Sequence, residues 1–418
     1  MKSSRVKKLV AVLAALLLLT ACAKKTEALP DTYAAGSDFQ HFQQSTMASR
    51  VRVQEGEGGF YVLKDDFVYY YSDRAGIMVP LCSRPNCLHD RESDPERRRQ
   101  CVAYVEAAGY EPSIQYYEGD VYFFGERVEE GESGTLDNIG QMFRISGDGT
   151  AKDLIREWPA NYGLSSRIIH RGELYYIAGY PSYGEEAENP IRVEKLSLKR
   201  IGAKPEVLYN SEGVWGFNLN CLCAYGNHVY VYYDCAGKED RRGGWIVYDT
   251  RSGSTEELAF YDDGESLRVG SLAFWQDRIV FVSFHADDPF APIDPYASEK
   301  LYSAALDGSD LRVLKEDVPA GWSVASDGET LFLHNCYMVI NGIEEEKVFH
   351  AYGPDMEEID SFSIPDNADV LPAPWIGAPE RQVLIREDAD GWGLLIWDKE
   401  DLGSLKGAPY SPAFVRYE

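Results

Sequence analysis

The chain has 418 residues, of which 44% are hydrophobic and 13% are aromatic, and 28 of them are tyrosines. This composition excludes an intrinsically disordered protein, because it supplies enough apolar surface for a folded core. The formal net charge of −27 repels phosphate backbones and anionic headgroups, so neither nucleic acid nor direct binding to a lipid surface is expected.

The first 21 residues have the pattern of a secretory signal peptide. Four basic residues precede the apolar run 9–19, which is too short to cross a bilayer as a helix. The ending Leu-Thr-Ala-Cys22 resembles the lipobox of bacterial lipoprotein signals. The resemblance implies that residues 1–21 are removed and that Cys22 is lipidated. The alternative is an ordinary signal, in which Cys22 has no special role. The lipid anchor would place the protein on the extracytoplasmic face of the cell membrane.

The residues after the signal divide into a tether and one folded domain. Residues 22–50 begin with the lipidated Cys22 and continue with mostly small and polar residues, which predicts a flexible tether. Residues 51–418 contain no obvious linker and are expected to form a single domain.

Seven apolar strand cores recur at intervals of 50 to 55 residues along this domain. They begin at Phe67, Val121, Leu174, Val229, Ile279, Leu331 and Val383. Each core follows a tight turn and is succeeded by further strand and turn signals, so that one unit contains four strands. Aromatic and β-branched residues dominate the strands, as expected for pleated and largely buried segments.

A four-stranded unit cannot bury both of its faces alone, whereas units packed around an axis cover one another. The sequence therefore predicts an all-β fold, a seven-bladed β-propeller, with six or eight blades as alternatives. We expect a strand from residues 51–63 or the tail near Phe414 to join the two chain ends in a shared blade.

The units resemble the repeats of TolB-like and DUF5050-type β-propeller lipoproteins of bacteria. The resemblance lies in a polar turn before an aromatic strand, as at Gly119-Asp120, and in a later turn such as Ser146-Gly-Asp-Gly or Leu306-Asp-Gly-Ser. It implies binding or scaffolding outside the membrane, and it assigns no catalytic residue.

One cluster of residues has metal-binding chemistry. Three thiols and one imidazole could hold structural zinc in a tetrahedral site. They are Cys82, Cys87, His89 and Cys101. Pro85 and the neighbouring polar residues predict a turn from Cys82 to Asp90. An exported protein could equally form a disulfide between two of the three cysteines. Both interpretations remain open from sequence, and either would hold a loop in place.

The usual motifs of hydrolases, metalloproteases and nucleotide-binding proteins are absent from the sequence. We therefore expect a non-catalytic binding or scaffold module for a glycan, peptide or partner protein. The alternative is a glycoside hydrolase or lyase with carboxylates near the central channel.

A stiff insertion at 285–296 is the candidate binding loop, although it could also be only a long solvated loop. Its candidate ligand-contacting residues are Asp287, Asp288, Phe290, Asp294 and Tyr296.

Overall fold

The structure is a computed structural model. It describes residues 29–39, 52–106, 112–130, 136–179, 190–211, 217–236, 241–267, 269, 272–283, 298–335, 347–364, 376–378, 381–388, 391–404 and 413–417. In these ranges, no helix is long and apolar enough to cross a membrane.

The described residues form seven four-stranded antiparallel sheets and one two-stranded hairpin. Sheet one contains β1 Val53–Gly56, β2 Gly59–Lys64, β3 Phe67–Ser72 and β4 Ile77–Pro80. Sheet two contains β5 Ser113–Tyr117, β6 Asp120–Glu130, β7 Leu136–Ser146 and β8 Lys152–Glu157. Sheet three contains β9 Leu164–His170, β10 Glu173–Ala178, β11 Arg192–Ser197 and β12 Glu206–Asn210. Sheet four contains β13 Phe217–Tyr225, β14 His228–Ala236, β15 Arg241–Asp249 and β16 Thr255–Leu258, and the hairpin β17 Tyr261–Asp262 and β18 Glu265–Ser266 follows it. Sheet five contains β19 Ala273–Trp275, β20 Arg278–Val282, β21 Ser298–Ala304 and β22 Arg312–Pro319. Sheet six contains β23 Ser323–Ser326, β24 Leu331–His334, β25 Lys347–Tyr352 and β26 Glu358–Ile364. Sheet seven contains β27 Ile376–Ala378, β28 Arg381–Asp388, β29 Gly391–Asp398 and β30 Ala413–Arg416.

Tight turns join the first and second strands of several of the sheets. In the turn between β9 and β10, Arg171 and Gly172 both have positive φ, 52° and 79°. Glu118 and Gly119 repeat this between β5 and β6, with φ of 49° and 90°. Two successive positive φ values are the signature of the hairpin turn whose twist matches that of the strands. The polar, glycine-containing turns noted in the sequence therefore set the hairpin register.

The sheets are packed side by side through their first strands and their faces. β1 contacts both β5 and β27, β9 contacts β5 and β13, and β19 contacts β23. Sheets four and five share an apolar cluster in which Tyr225 stacks on Phe274 at 4.9 Å between ring centroids. Lys399 of sheet seven lies 2.8 Å from the Asp327 carboxylate of sheet six. This arrangement is a β-propeller, as the sequence predicts.

The predicted closure by a shared blade is wrong. β1 belongs to the sheet of β2, β3 and β4, and β30 belongs to the sheet of β27, β28 and β29. Each chain end pairs with its sequence neighbour because a local hairpin costs less loop entropy than a pairing between distant segments.

Side chains join sheets seven and one instead. Arg381 makes two hydrogen bonds to the Asp73 carboxylate, at 2.6 and 2.7 Å, and its guanidinium lies over the ring of Phe60. Tyr69 packs edge-on against Trp392, with ring centroids 4.8 Å apart.

Part of the predicted tether is docked on the propeller. Residues 29–39 lie across the turns that follow β9 and β13, and Phe39 is 4% exposed. The backbone N–H of Phe39 donates to Nδ1 of His170 at 3.0 Å, and the N–H of Arg171 donates to the Ser37 carbonyl at 2.8 Å. The ring of Tyr33 stacks over Tyr225. An aromatic residue and a set of backbone hydrogen bonds therefore fix a segment whose composition predicts flexibility.

Candidate metal centre and central axis

The four predicted ligand residues come together in the structure. One ligand atom from each of Cys82, Cys87, His89 and Cys101 lies within 4.8 Å of the others. The Cys101 Sγ and the His89 Nδ1 are 3.6 Å apart. Two ligands of one tetrahedral zinc ion, with metal–ligand distances of about 2.0–2.3 Å, are separated by about 3.5–3.8 Å. Cys82, Cys87 and Cys101 are free thiols in this structure.

The loop between β4 and β5 builds this site from two turns and a short helix. Asn86 and His89 have positive φ, 62° and 54°, which folds the chain so that Cys87 and His89 face Cys82. The helix α1, Pro95–Arg99, begins at the cap Asp94, whose carboxylate accepts the Glu96 N–H at 2.9 Å. The N–H of Cys101 bonds to the Arg98 carbonyl, so the end of this helix positions the last thiol.

Partial burial acts on the pKa values of Cys82, His89 and Cys101. Burial raises the pKa of the Cys82 thiol, but backbone N–H groups of Arg84 and Val102 and the neighbouring thiols more than offset it and leave the pKa below its ordinary value. Burial, reinforced by the adjacent Cys82, raises the pKa of Cys101 to about 12. Burial also lowers the pKa of His89, which favours the neutral imidazole that metals bind.

Residues of other strands hold the loop from outside. The Lys152 ammonium, on β8, donates to the carbonyls of Cys101 at 3.0 Å and Tyr104 at 2.6 Å. The turn before β8 comes so close that a Cβ on Gly149 would lie 2.9 Å from the Cys82 backbone nitrogen. The Gly149 carbonyl accepts both the N–H and the hydroxyl of Ser83.

Asp90, next to His89, joins this loop to the first and the last sheet of the propeller. Its Oδ2 accepts the hydroxyl of Tyr69 on β3 at 3.1 Å and the hydroxyl of Tyr417, directly after β30, at 2.6 Å. The rings of Tyr69 and Tyr417 also pack edge-on, with centroids 4.9 Å apart. The candidate metal loop therefore contacts sheets one, two and seven.

Polar side chains cap the open backbone edges of several first strands near the axis. Gln54 on β1 accepts the N–H of Tyr116 on β5, at 3.3 Å. Gln115 on β5 donates to the Arg167 carbonyl and accepts the Ile169 N–H on β9, at 2.5 and 2.6 Å.

Ser166 continues this pattern from sheet three to sheet four. It lies on β9, and its hydroxyl oxygen accepts the Leu222 N–H of β13 at 2.8 Å. In this part of the ring, a side chain of each first strand thus forms hydrogen bonds with the backbone edge of the next first strand. These bonds remove the cost of burying unpaired backbone groups.

Carboxylates are scarce on the strands closest to the axis. Within the bounds of β1, β5, β9, β13, β19, β23 and β27, the only acidic residue is Glu55. A glycosidase of the common type needs two carboxyl groups about 5–10 Å apart. The first strands, over these bounds, do not supply such a pair.

A polar cleft of about 470 Å³ lies between sheets three and four. Two of its cations already have partners in the protein, since Arg171 binds Asp38 and Lys195 binds Glu206. The exposed Arg200 and Lys204 complete the positive side of the cleft.

Other predicted site residues lie outside the described residues. They are Cys22 and the candidate loop residues Asp287, Asp288, Phe290, Asp294 and Tyr296.

The sequence identified the four candidate ligands but not the residues that hold their loop. Lys152 lies on a strand with no unusual composition, and Asp90 is one of many acids in a charged stretch. The Asx-type cap at Asp94-Pro95 is a signal that could have predicted the short helix before Cys101.

Solved structures with a similar fold include several propellers. One is the β-propeller domain of the Trilobed protease from Pyrococcus furiosus, with 12% identity over 69% of this chain and 81% of that chain and a TM-score of 0.46. Puromycin hydrolase has 16% identity over 71% of this chain and a TM-score of 0.45. A putative TolB from Agrobacterium tumefaciens has 12% identity over 64% of this chain and 80% of that chain, with a TM-score of 0.34.

These similarities concern the fold alone. The chain spans only 46% of the puromycin hydrolase chain, and the TM-scores of all three structures are below 0.5, so no activity is carried over. No family model matches the sequence. No curated protein matches it either.

Proposed function

We propose that this protein is a lipid-anchored propeller on the extracytoplasmic face of the cell membrane, where it acts as a non-catalytic binding or scaffold module. Its partner is a glycan, a peptide or another protein. In the proposed ring each four-stranded sheet is one blade, which gives seven blades. The lipid is attached at Cys22, as the lipobox-like ending of the signal implies.

The scarcity of carboxylates at the axis carries the non-catalytic part of the proposal. Glu55 is the one acid within the bounds of the seven first strands, and the backbone edges of three of them, β5, β9 and β13, are occupied by Gln54, Gln115 and Ser166. A general acid and base, or a nucleophile and its base, need two groups within reach of one substrate. These strands provide a rigid support, and the residues that bind the partner belong to the surrounding loops.

The docked N-terminal segment supports a defined orientation on the membrane. Only residues 23–28 separate Cys22 from Leu29, and an extended chain covers at most about 3.5 Å per residue. The turns after β9 and β13 contact Pro30 and Asp31, so the lipid would hold them within about 30 Å of the bilayer surface. The rest of the ring would face outward, where partners are available.

Fatty-acid labelling tests the anchor. Cells that express the wild-type chain should incorporate labelled fatty acid into the protein, whereas Cys22→Ser should not. The matched control is Cys223→Ser, because Cys223 is a buried cysteine in the propeller and its replacement should leave labelling unchanged. Equal labelling of Cys22→Ser and wild type would disprove the anchor.

A binding experiment tests the module itself. Proteins and glycans cross-linked to the full chain on intact cells should be lost when residues 286–295 are deleted. They should be retained when residues 337–345, in the corresponding connection of the next sheet, are deleted. Release of products from peptides or cell-wall polysaccharides by the purified chain, abolished by Glu55→Gln, would instead support an enzyme.

A further inference from the structure

We infer that Cys82, Cys87, His89 and Cys101 bind one structural zinc ion that locks the first and last sheets of the propeller together. The site combines two independent observations. Four side chains with zinc-binding chemistry converge on one point, and the loop that carries them contacts three sheets, including those of both chain ends.

The donor set fits zinc in number and type. Three cysteine sulfurs and one histidine nitrogen are a standard set for a closed, tetrahedral structural site. The mutual spacing of at most 4.8 Å and the 3.6 Å between Cys101 Sγ and His89 Nδ1 allow a single ion to reach all four ligands. Closure by four protein ligands leaves no position for a substrate or a water nucleophile, so the ion would be structural.

A disulfide would account for less of the geometry. It would use two of the three thiols and would leave the third thiol and His89 beside it without a shared role. A disulfide constrains only the two residues that it joins, whereas a zinc ion fixes all four side chains. The zinc site also explains the positive φ of His89, because this backbone conformation turns the imidazole toward Cys101.

Lys152 balances the charge of the proposed centre. Three thiolates, a neutral imidazole and Zn²⁺ sum to one negative charge, which is costly to bury without a counter-ion. The Lys152 ammonium donates to the carbonyl of Cys101, one of the four ligand residues, at 3.0 Å, which places a positive charge next to the site. Outer groups of this kind orient and stabilise the ligands of metal sites.

Asp90 transmits the metal's effect to the ring closure. Because Asp90 follows His89 directly, a zinc ion that fixes His89 also fixes the carboxylate that accepts the hydroxyls of Tyr69 and Tyr417. Tyr417 in turn is bound to β29 through its N–H, which donates to the Trp392 carbonyl at 2.9 Å. The described strands of sheets one and seven do not pair with each other, so this contact adds to the side-chain contacts that join the two sheets.

Metal analysis of the purified full chain tests the site. We expect about one zinc per chain, and less than about a tenth of an equivalent in Cys87→Ser. Cys223→Ser, which removes a buried thiol outside the cluster, should retain about one equivalent. Replacement by cobalt should produce the visible absorption of a tetrahedral thiolate site in wild type. That measurement does not depend on whether a variant folds.

Either a low zinc content or a disulfide in the wild-type protein would overturn the zinc site. Wild-type chain that holds less than about a tenth of an equivalent, even after incubation with zinc under reducing conditions, would exclude it. Peptide mapping that finds a disulfide between two of Cys82, Cys87 and Cys101 in protein purified from its own compartment would exclude it as well.

Hydrogen exchange tests the link to ring closure. Removal of zinc should accelerate amide exchange in β30 and at Tyr417 by about tenfold or more. Exchange in β16, the outermost strand of sheet four, should not change. Equal effects on β30 and β16, or no effect on either, would reject the role in closure.

Discussion

Asp38 and Arg171, 133 residues apart in sequence, form a buried ion pair. The Asp38 Oδ1 lies 2.5 Å from the Arg171 Nε, the Asp38 side chain is fully buried, and the Arg171 side chain is 10% exposed. The same guanidinium donates to the Pro30 carbonyl at 2.8 Å and to the Asn227 side chain at 2.6 Å. One arginine thereby fastens the N-terminal segment to sheets three and four.

Loss of this ion pair should destabilise the protein strongly. Asp38→Ala leaves the Arg171 charge buried without its partner, and such changes cost about 3–5 kcal/mol. Chemical denaturation of wild type and variant measures the difference in the free energy of unfolding. The control is Arg251→Ala, which breaks an exposed pair with Asp31 and should cost less than about 1 kcal/mol. Similar costs for both variants would mean that residues 29–39 are not docked.

His170 should make the docked segment sensitive to acid. Burial lowers its pKa from 6.5 to about 4, although the nearby Asp38 charge raises it somewhat and Arg171 lowers it further. Its Nδ1 accepts the Phe39 N–H at 3.0 Å, which requires an unprotonated nitrogen, and the other nitrogen, Nε2, lies 2.8 Å from the Gly226 carbonyl.

The sign of this pH effect follows from proton binding. Between pH 6.5 and about 4 the unfolded chain binds a proton at His170 that the folded chain does not. Stability is therefore retained above pH 6.5 and falls as the pH drops through this window, by up to about 3 kcal/mol. Urea unfolding at several pH values should give a smaller slope for His170→Gln than for wild type. An unchanged slope would assign the acid sensitivity to other groups.

The sequence predicts the strands well because their signals are local. The Arg171-Gly172 turn and the alternation around Tyr175 are readable in a few residues, and they define a hairpin wherever the rest of the sheet lies. The same holds for Cys82, Cys87 and His89, whose short spacing puts them in one turn.

Relationships between distant residues could not be predicted in the same way. Nothing near Asp38 indicates a partner at Arg171, so a segment of small polar residues is interpreted as a tether. Gln115 looks like an ordinary strand residue, and its role at the edge of β9 depends on the position of another sheet. The prediction of a blade shared by the two chain ends was wrong for the same reason. The sequence does not show whether the first and last sheets meet through strand pairing or through side-chain contacts such as Arg381 with Asp73.

The axial side-chain caps should contribute measurably to stability. Gln115→Leu removes the donor to the Arg167 carbonyl and the acceptor of the Ile169 N–H, which leaves two buried backbone groups unpaired. Each such group costs about 1–3 kcal/mol. The control is Gln141→Leu, since the Gln141 side chain donates to the Glu157 carboxylate in an exposed hydrogen bond whose loss should have a small effect. Equal midpoints of denaturation for the two variants would contradict this role.

The C-terminal tail should be essential for a stable ring even though it completes no shared blade. Deletion of residues 413–418 removes β30, whose residues pair with β29 from Gly393 to Ile396, and it removes the Tyr417 hydroxyl bonded to Asp90. We expect a sharp decrease in melting temperature, because the outermost strand of sheet seven and the contact with Tyr69 are lost together. Tyr417→Phe removes only the hydrogen bond to a charged acceptor and should cost about 1.5–3 kcal/mol. A tail that can be deleted without lowering the melting temperature would show that the ring is closed by other contacts.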